Sequence, residues 1–452
     1  QMCISYSCMI NPIVSYWSTR DTARNIESGK TAVLSSMLLS ICSVSVYIII
    51  SYLMGFYTSE EQNTLLFAAI LIPPMALNGI LTAINLGWKP QAISYGTISF
   101  GISQIPLALF FIYFLDLGIT GIILSLVIAN LVSIAVLSYY AKEKIKNHFK
   151  KSVLKNWLRL SWLPLYPGLA ILVAGFDISI FTIVTSSVVG IAFWSAAVVL
   201  PSMISHTALI SRAVYPKLLE EKTREFVNEN LTHLFYFGIL LTALVITFAR
   251  PGLYALNPIY EIGVPVVIIM AVEMFLTVLT NVFLLSLAGI EKVDKNENST
   301  FKDYLKSKLF VPQTIRLIQT TIYVLILTVG LLILVGYDSS NQELLIFWAS
   351  IALITQIPLV CILYFLLKKN ITIKLNVSSI TKFLLTAIGV FTFTYILINQ
   401  FLTYSTDIFS FIPAVLVYAA LGVGMYIMIT YLIDSNTRSL VQSIIKEIKT
   451  KA

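Results

Sequence analysis

Three ionisable residues, Asp177, Glu273 and Arg316, lie within apolar stretches long enough to cross a membrane. Charged side chains are costly there, and they usually face a cavity or a partner. Glu273 is the most central of the three within its apolar stretch, because the acidic residues that flank this stretch, Glu261 and Glu291, lie well to either side of it. Together the three side chains could bind a charged headgroup or carry a coupling proton. The alternative is structural: a carboxyl group that bonds a neighbouring helix, or an arginine that extends to the interface.

Further candidates lie near the ends of such stretches. Arg20 and Arg24 are four positions apart and share one helical face, and a guanidinium pair suits a pyrophosphate group. Anchoring at the inner membrane surface is the alternative. His206 lies shortly before Arg212 and is a candidate because histidine is the usual pH-sensitive side chain, although it could equally be a hydrogen-bonded packing residue. Arg20, Arg24, Arg212 and Arg316 would together form a cationic entrance on the inner side of the membrane.

Signs of metal, cofactor or catalytic chemistry are absent from the sequence. The four cysteines form no CxxC pair and no cluster with histidine, which excludes zinc-site and disulfide-framework patterns. HExxH, GxSxG, GxGxxG and Walker motifs do not occur. An integral-membrane glycosyltransferase or polymerase would need a large outer loop or a catalytic acid cluster. We therefore predict no cofactor and no enzymatic activity.

The composition indicates a membrane protein. Of 452 residues, 58% are hydrophobic and 12% are charged, against about 25% charged in ordinary soluble domains. So few charges could not cover the surface of a soluble fold of this size. The fold class predicted is therefore an all-α polytopic membrane protein.

Thirteen apolar runs can be counted along the chain, and the first is incomplete. A bilayer core of about 30 Å needs about 20 apolar residues per helix, and helices satisfy their own backbone groups in lipid. We therefore expect about thirteen visible transmembrane helices, and fourteen in the full protein. The runs lie at about 1–16, 31–55, 65–87, 91–115, 118–139, 160–183, 188–211, 231–249, 262–290, 310–336, 344–367, 381–403 and 409–433.

Basic residues occupy alternate loops. On this span count, 28 of the 30 lysines and arginines fall in the loops and tail of one side. The positive-inside rule then places those loops and the C-terminus in the cytoplasm. The net charge of +8 thus follows from membrane topology. It suits an anionic inner leaflet and gives no evidence for nucleic acid.

The long inner loops suggest a division of the chain. Loops 140–159 and 291–309 are the best candidates for linkers between helical bundles. The segments NGILTAINLGWK (78–89) and TNVFLLSLAGIEK (280–292) form a weak repeat, as expected of two related six-helix halves. We predict an N-terminal lobe at 1–150, a C-terminal lobe at 151–370, and two appended helices with an amphipathic cytoplasmic tail at 371–452.

Three stretches resemble one transporter family. VSYWSTRDTARNIESGKTAVLSSMLLS (14–40) resembles its second and third helices, and the segment from LRLSWLPLYPGL to RAVYPKL (158–218) resembles its seventh and eighth. RPGLYALNPIYEIGVPVVIIMAVEMF (250–275) resembles its ninth-to-tenth helix connection. The family is the polysaccharide flippase branch of the multidrug/oligosaccharidyl-lipid/polysaccharide (MOP) exporter superfamily.

This resemblance implies fourteen helices, with two pseudo-symmetric six-helix lobes around a central cavity and two C-terminal helices. Asp177 would match a recurrent aspartate of the seventh helix, and Arg20 and Arg24 the basic end of the second. The function implied is to flip a lipid-linked oligosaccharide or polysaccharide precursor from the cytoplasmic to the outer leaflet by alternating access. Membrane lipids and the lipid-linked glycan would be partners, with H⁺ or Na⁺ as a possible coupling ion. The alternative is a cation-coupled multidrug or small-molecule exporter of the same superfamily.

Overall fold

Long helices dominate the computed structural model of the chain. It describes residues 4–451 apart from 5–6, 9, 58–61, 187–188, 212–217, 219–224, 296–299, 372 and 374. The helices before position 160 are α1 Pro12–Ala23, α2 Gly29–Tyr57, α3 Gln62–Phe67, α4 Ile72–Trp88, α5 Gln91–Leu109, α6 Gly118–Ile145 and α7 Lys151–Arg159. The helices up to position 305 are α8 Trp162–Thr185, α9 Val189–Ser202, α10 Ala208–Ser211, α11 Glu225–Thr247, α12 Ala249–Leu256, α13 Val264–Gly289 and α14 Phe301–Leu305. The last are α15 Val311–Gly336, α16 Asn341–Asn370, α17 Val377–Phe401, α18 Ile408–Ile433 and α19 Ser435–Lys451.

Twelve helical segments within the described residues are long and apolar enough to cross a membrane. They coincide with the twelve complete apolar runs of the sequence. The incomplete first run is not among them, because α1 begins only at Pro12 and part of 1–16 lies outside the described residues. All regular elements that the structure describes are helical, which confirms the predicted all-α, multi-pass architecture.

Local irregularities occur where the sequence places prolines. The span 62–88 is formed by α3 and α4 with a 3₁₀ turn, Ala68–Leu71, between them. Pro73 and Pro74 follow this turn in the first turn of α4, where a missing backbone donor costs little. Pro106 lies inside α5, and the chain passes just beyond it into a π-helical turn, Phe110–Phe114.

The described chain divides into two compact units. Unit 1 contains Gln1–Leu169 and Gly289–Phe310, and unit 2 contains Ala170–Ser211, Thr223–Ala288 and Val311–Ala452. The segment Gly289–Phe310, which is one of the two predicted linkers, therefore groups with unit 1 although both of its sequence neighbours belong to unit 2. The boundaries predicted at 150 and 370 remain a prediction.

In unit 1, the helices are joined by polar contacts between otherwise apolar faces. The side-chain amide of Asn85 in α4 donates to the carbonyl oxygen of Leu137 in α6 at 2.9 Å. Asn78 donates in the same way to the Asn130 side chain at 2.9 Å. These bonds fix the register between α4 and α6, which form two walls of a cavity described below.

Aromatic residues are prominent in two of the cores of unit 2. Trp348 of α16 is fully buried and stacks on Trp194 of α9, with ring centroids 3.9 Å apart, and on Phe181 of α8. The second core joins α17 and α18 to α11. There the Tyr426 hydroxyl donates to the carbonyl oxygen of Tyr236 at 3.2 Å. The two helices predicted as appendages are thus packed against the main body of unit 2.

Candidate functional site

The predicted intramembrane residues meet at one cavity. Asp177 on α8, Glu273 on α13 and Arg316 on α15 all line a space of about 220 Å³ within unit 2. The same walls carry hydroxyl and amide groups that sequence reasoning did not single out. These polar residues are Thr277, Thr280, Gln319, Thr320, Tyr323, Thr355 and Gln356.

Asp177 is held by a directed chain of hydrogen bonds. The Trp348 indole N–H donates to the Tyr323 hydroxyl at 2.7 Å, and this hydroxyl lies 2.9 Å from Asp177 Oδ2. Because an indole can only donate, the Tyr323 proton points to the carboxyl group. The backbone N–H of Ile178 donates to Asp177 Oδ1 at 2.7 Å. Both oxygens of Asp177 therefore accept hydrogen bonds, which fixes the orientation of this side chain.

Glu273 has fewer partners than Asp177. Its Oε1 accepts a hydrogen bond from the Thr277 hydroxyl, one turn further along α13, at 2.6 Å. No cation of the described chain forms an ion pair with it, and its second oxygen accepts no bond from those residues. Glu273 thus has the acceptor capacity to take a proton or to coordinate a small cation.

Arg316 contributes a guanidinium group that has no side-chain hydrogen bond or ion pair among the described residues. The neighbouring side-chain amides donate to threonine hydroxyl groups. Gln319 donates to the Thr355 hydroxyl at 3.2 Å, and Gln356 donates to the Thr280 hydroxyl at 2.8 Å. The cavity therefore presents two carboxyl groups and one unpaired cation to whatever enters it.

The other predicted arginine pair forms a separate, buried cluster in unit 1. Arg20 and Arg24 both bind the Asp294 carboxylate, with the four N–O distances between 2.8 and 3.1 Å. The exposed fractions of the Arg20 and Asp294 side chains are 0% and 1%. Arg20 also donates to the carbonyl oxygen of Glu291, at 3.2 Å. In this structure Arg20 and Arg24 bind acceptor groups of the same chain, so their predicted contact with a pyrophosphate remains a prediction.

Two carboxyl groups of this cluster have displaced pKa values. Burial favours the neutral form of Asp294, but the charges of Arg20 and Arg24 outweigh it and hold its pKa below the usual range. For Asp21 burial prevails and raises the pKa to about 6, although the Trp157 indole donates to it at 2.9 Å. Trp157 lies on α7, within the other predicted linker, 140–159. The C-terminal ends of α1 and α7 and the 289–310 segment thus share one charged cluster.

His206 lines neither of these two sites. It is exposed in a 3₁₀ turn, Met203–Thr207, where its Nδ1 lies 3.2 Å from the Met203 carbonyl oxygen. The role predicted for His206 remains a prediction. Arg212, the other predicted residue, lies outside the described residues.

Unit 1 has a larger cavity, of about 870 Å³, and none of the described residues that line it is charged. Its polar groups are hydroxyls and amides, among them Asn78, Gln104 and Asn130. Sequence reasoning missed this cavity because neutral polar residues are common in membrane helices. The signal available was the presence of three side-chain amides within otherwise apolar runs.

Solved structures share this fold. A MATE transporter in its straight conformation aligns with a TM-score of 0.59 and 15% identity, over 81% of this chain and 85% of that chain. A multidrug resistance MATE family transporter of the MOP superfamily, in an outward-facing conformation, gives 0.58 and 14%, over 82% and 85%. A MOP superfamily transporter from Pyrococcus furiosus, described with a binding pocket of reversed polarity, gives 0.59 and 14%, over 81% and 85%. No protein-family model and no curated protein matches the sequence.

These alignments show that the chain has the fold of MATE transporters. They confirm the predicted all-α, two-lobe fold class. The polysaccharide flippase branch, which the sequence resembles, is not distinguished by these structures.

Proposed function

We propose that this chain is a cation-coupled exporter that works by alternating access, and that its coupling site is the cavity formed by Asp177, Glu273 and Arg316. The observation that carries the proposal is the convergence of these side chains from three membrane helices on one small cavity. Ionisable groups so placed mark ion or proton pathways in membrane transporters. The MATE-like fold supports the same reading.

The substrate we propose is a lipid-linked oligosaccharide, moved from the cytoplasmic to the outer leaflet. Its support is the sequence resemblance over 14–40, 158–218 and 250–275. The large uncharged cavity of unit 1 offers hydroxyl and amide groups of the kind that hydrogen-bond sugars.

Export of small molecules is the second candidate. The observation in its favour is the likeness to a multidrug resistance transporter of the MATE family. A drug exporter would use the same two carboxyl groups to exchange cations against an organic substrate.

Reconstitution separates these functions. Purified protein in liposomes would receive either a fluorescent lipid-linked oligosaccharide or a cationic dye, with an H⁺ or Na⁺ gradient in each case. Gradient-dependent flipping of the lipid-linked sugar supports the proposal. Movement of the dye alone would replace it with the second candidate, and movement of neither would contradict both.

A further inference from the structure

The charged lining of the unit 2 cavity has an uneven composition. Asp177 and Glu273 are its acidic residues and Arg316 is its basic residue. Among the other described lining residues, the titratable group is the Tyr323 phenol on α15, whose proton is directed to Asp177. The walls from α9 and α16 contribute Trp194, Ala352, Thr355 and Gln356, none of which titrates. With both carboxyl groups ionised, the cavity therefore carries one net negative charge.

An uncompensated charge in a membrane-buried site costs several kcal/mol, whereas a balanced set costs much less. One monovalent cation brings the charge of this cavity to zero. A second would leave it positive by one unit. Without the guanidinium group, the same cavity would need two cations to reach neutrality.

We propose that Arg316 fixes the coupling stoichiometry at one monovalent cation per cavity by acting as a built-in second cation. This inference rests on the proposed function, because it assumes that the cavity is the coupling site. It also explains an otherwise costly feature, namely a guanidinium group inside a span that has no ion pair or side-chain hydrogen bond among the described residues. An arginine that only extended to the interface would leave the stoichiometry unaffected.

The hydrogen bonds indicate which carboxyl group takes the mobile cation. Asp177 accepts bonds on both oxygens, from the Ile178 backbone N–H and the Tyr323 hydroxyl, and such bonds stabilise an ionised carboxylate. Glu273 accepts one bond, from Thr277. We therefore assign the mobile cation to Glu273, with Asp177 as the permanent counter-charge of Arg316.

The test is a count of bound cations per chain in purified full-length protein, without any transported substrate. Sodium would be counted by equilibrium dialysis with a radioactive tracer. Protons would be counted by uptake on stepping from about pH 8 to about pH 5. For the wild type and for each Arg316 variant, the count is repeated after Asp177→Asn and Glu273→Gln have both been introduced. This second count is subtracted from the first, so that only cations bound in the cavity remain.

We expect one cation in the wild type and two in Arg316→Gln. The matched control, Arg316→Lys, keeps the positive charge and should keep the count at one. Asp177→Asn should reduce the count to zero, because Glu273 and Arg316 would then balance each other.

Two cations in the wild type would overturn the inference even if Arg316→Gln failed to fold. One cation in both the wild type and a folded Arg316→Gln would also overturn it, while leaving the proposed coupling site intact. No cation in the wild type with either probe would instead contradict the proposed function, on which the inference rests.

Discussion

The arginines of this chain differ in whether their charge is already balanced. Arg20 and Arg24 are balanced by Asp294 in a buried cluster, whereas Arg316 faces a cavity without an ion pair among the described residues. A buried ion pair that loses one partner leaves an uncompensated charge, which is far more costly than the loss of an exposed pair. This difference leads to a prediction for each kind of residue.

Asp294→Asn should lower the free energy of unfolding by about 3–5 kcal/mol, because the fully buried Arg20 and the largely buried Arg24 would lose the carboxylate that binds both of them. Denaturant or thermal unfolding in detergent would measure the change. Glu27→Gln is the control, since Glu27 pairs with Lys150 on the surface with side chains 60% and 40% exposed. It should have little effect, and equal effects of the two substitutions would argue against a buried charge cluster.

The raised pKa of Asp21 predicts that the stability of the folded protein depends on pH. Its pKa is about 6 in the folded protein and 3.8 ordinarily, so between these values the folded state binds more protons than the unfolded chain. Stability should therefore fall as the pH rises from about 4 to about 6, by at most about 3 kcal/mol. Asp294 acts in the opposite sense, but below pH 3.8.

Comparing unfolding of the wild type with that of Asp21→Asn across this pH range isolates the effect. The variant should lack the decline, so that the difference between the two proteins changes between about pH 4 and pH 6. A constant difference would show that Asp21 titrates normally.

Sequence reasoning identified the charged members of the cavity but not their neutral neighbours. Asp177, Glu273 and Arg316 were predictable because ionisable residues are rare inside apolar runs and usually have a functional or structural role there. Tyr323 and Gln356 gave no such signal. Their roles depend on how α15 and α16 are rotated against α8 and α13, and apolar periodicity does not specify that rotation. Asp294 was overlooked because a loop acid ordinarily faces water.

At the scale of elements, the apolar runs predicted the helices well, whereas their interruptions needed the structure. A continuous apolar run does not show whether it is one helix or, as at 62–88, two helices joined by a 3₁₀ turn. The π-helical turn after Pro106 was likewise invisible, because a membrane helix tolerates proline in several ways.

Close packing of α4 on α1 gives a test at this scale. A Cβ added at Gly87 would lie 2.6 Å from the Thr19 carbonyl oxygen and 2.9 Å from the Ala23 backbone nitrogen. Gly87→Ala should therefore force the helices apart and cost about 1–3 kcal/mol. The helix that would be displaced, α1, carries the Arg20 and Arg24 cluster.

Gly79 supplies a control in the same helix, because an added Cβ there meets nothing within 4 Å. Gly79→Ala should be neutral or slightly stabilising, since alanine favours helix over glycine. Thermal unfolding of both variants measures the difference. A Gly87→Ala variant as stable as Gly79→Ala would contradict the close approach of α4 to α1.

At the scale of the whole molecule, the described residues contain twelve candidate spans and the fold is MATE-like, while the predicted orientation rests on the distribution of basic residues. It can be checked by cysteine labelling in intact cells, after replacement of the four native cysteines. Tyr337→Cys, in a predicted outer loop, should react with a membrane-impermeant reagent. Lys306→Cys, in a predicted inner loop, should react only after lysis. The opposite pattern would invert the topology.

The central claim is that Glu273 couples export to a cation gradient, and accumulation of substrate in proteoliposomes tests it most directly. A tenfold gradient of one monovalent cation supplies about 1.4 kcal/mol, enough for up to about tenfold accumulation of substrate. We predict that the wild type and Glu261→Gln, a loop control, accumulate substrate under this gradient, and that Glu273→Gln only equilibrates it. Undiminished gradient-driven accumulation by Glu273→Gln would contradict the account.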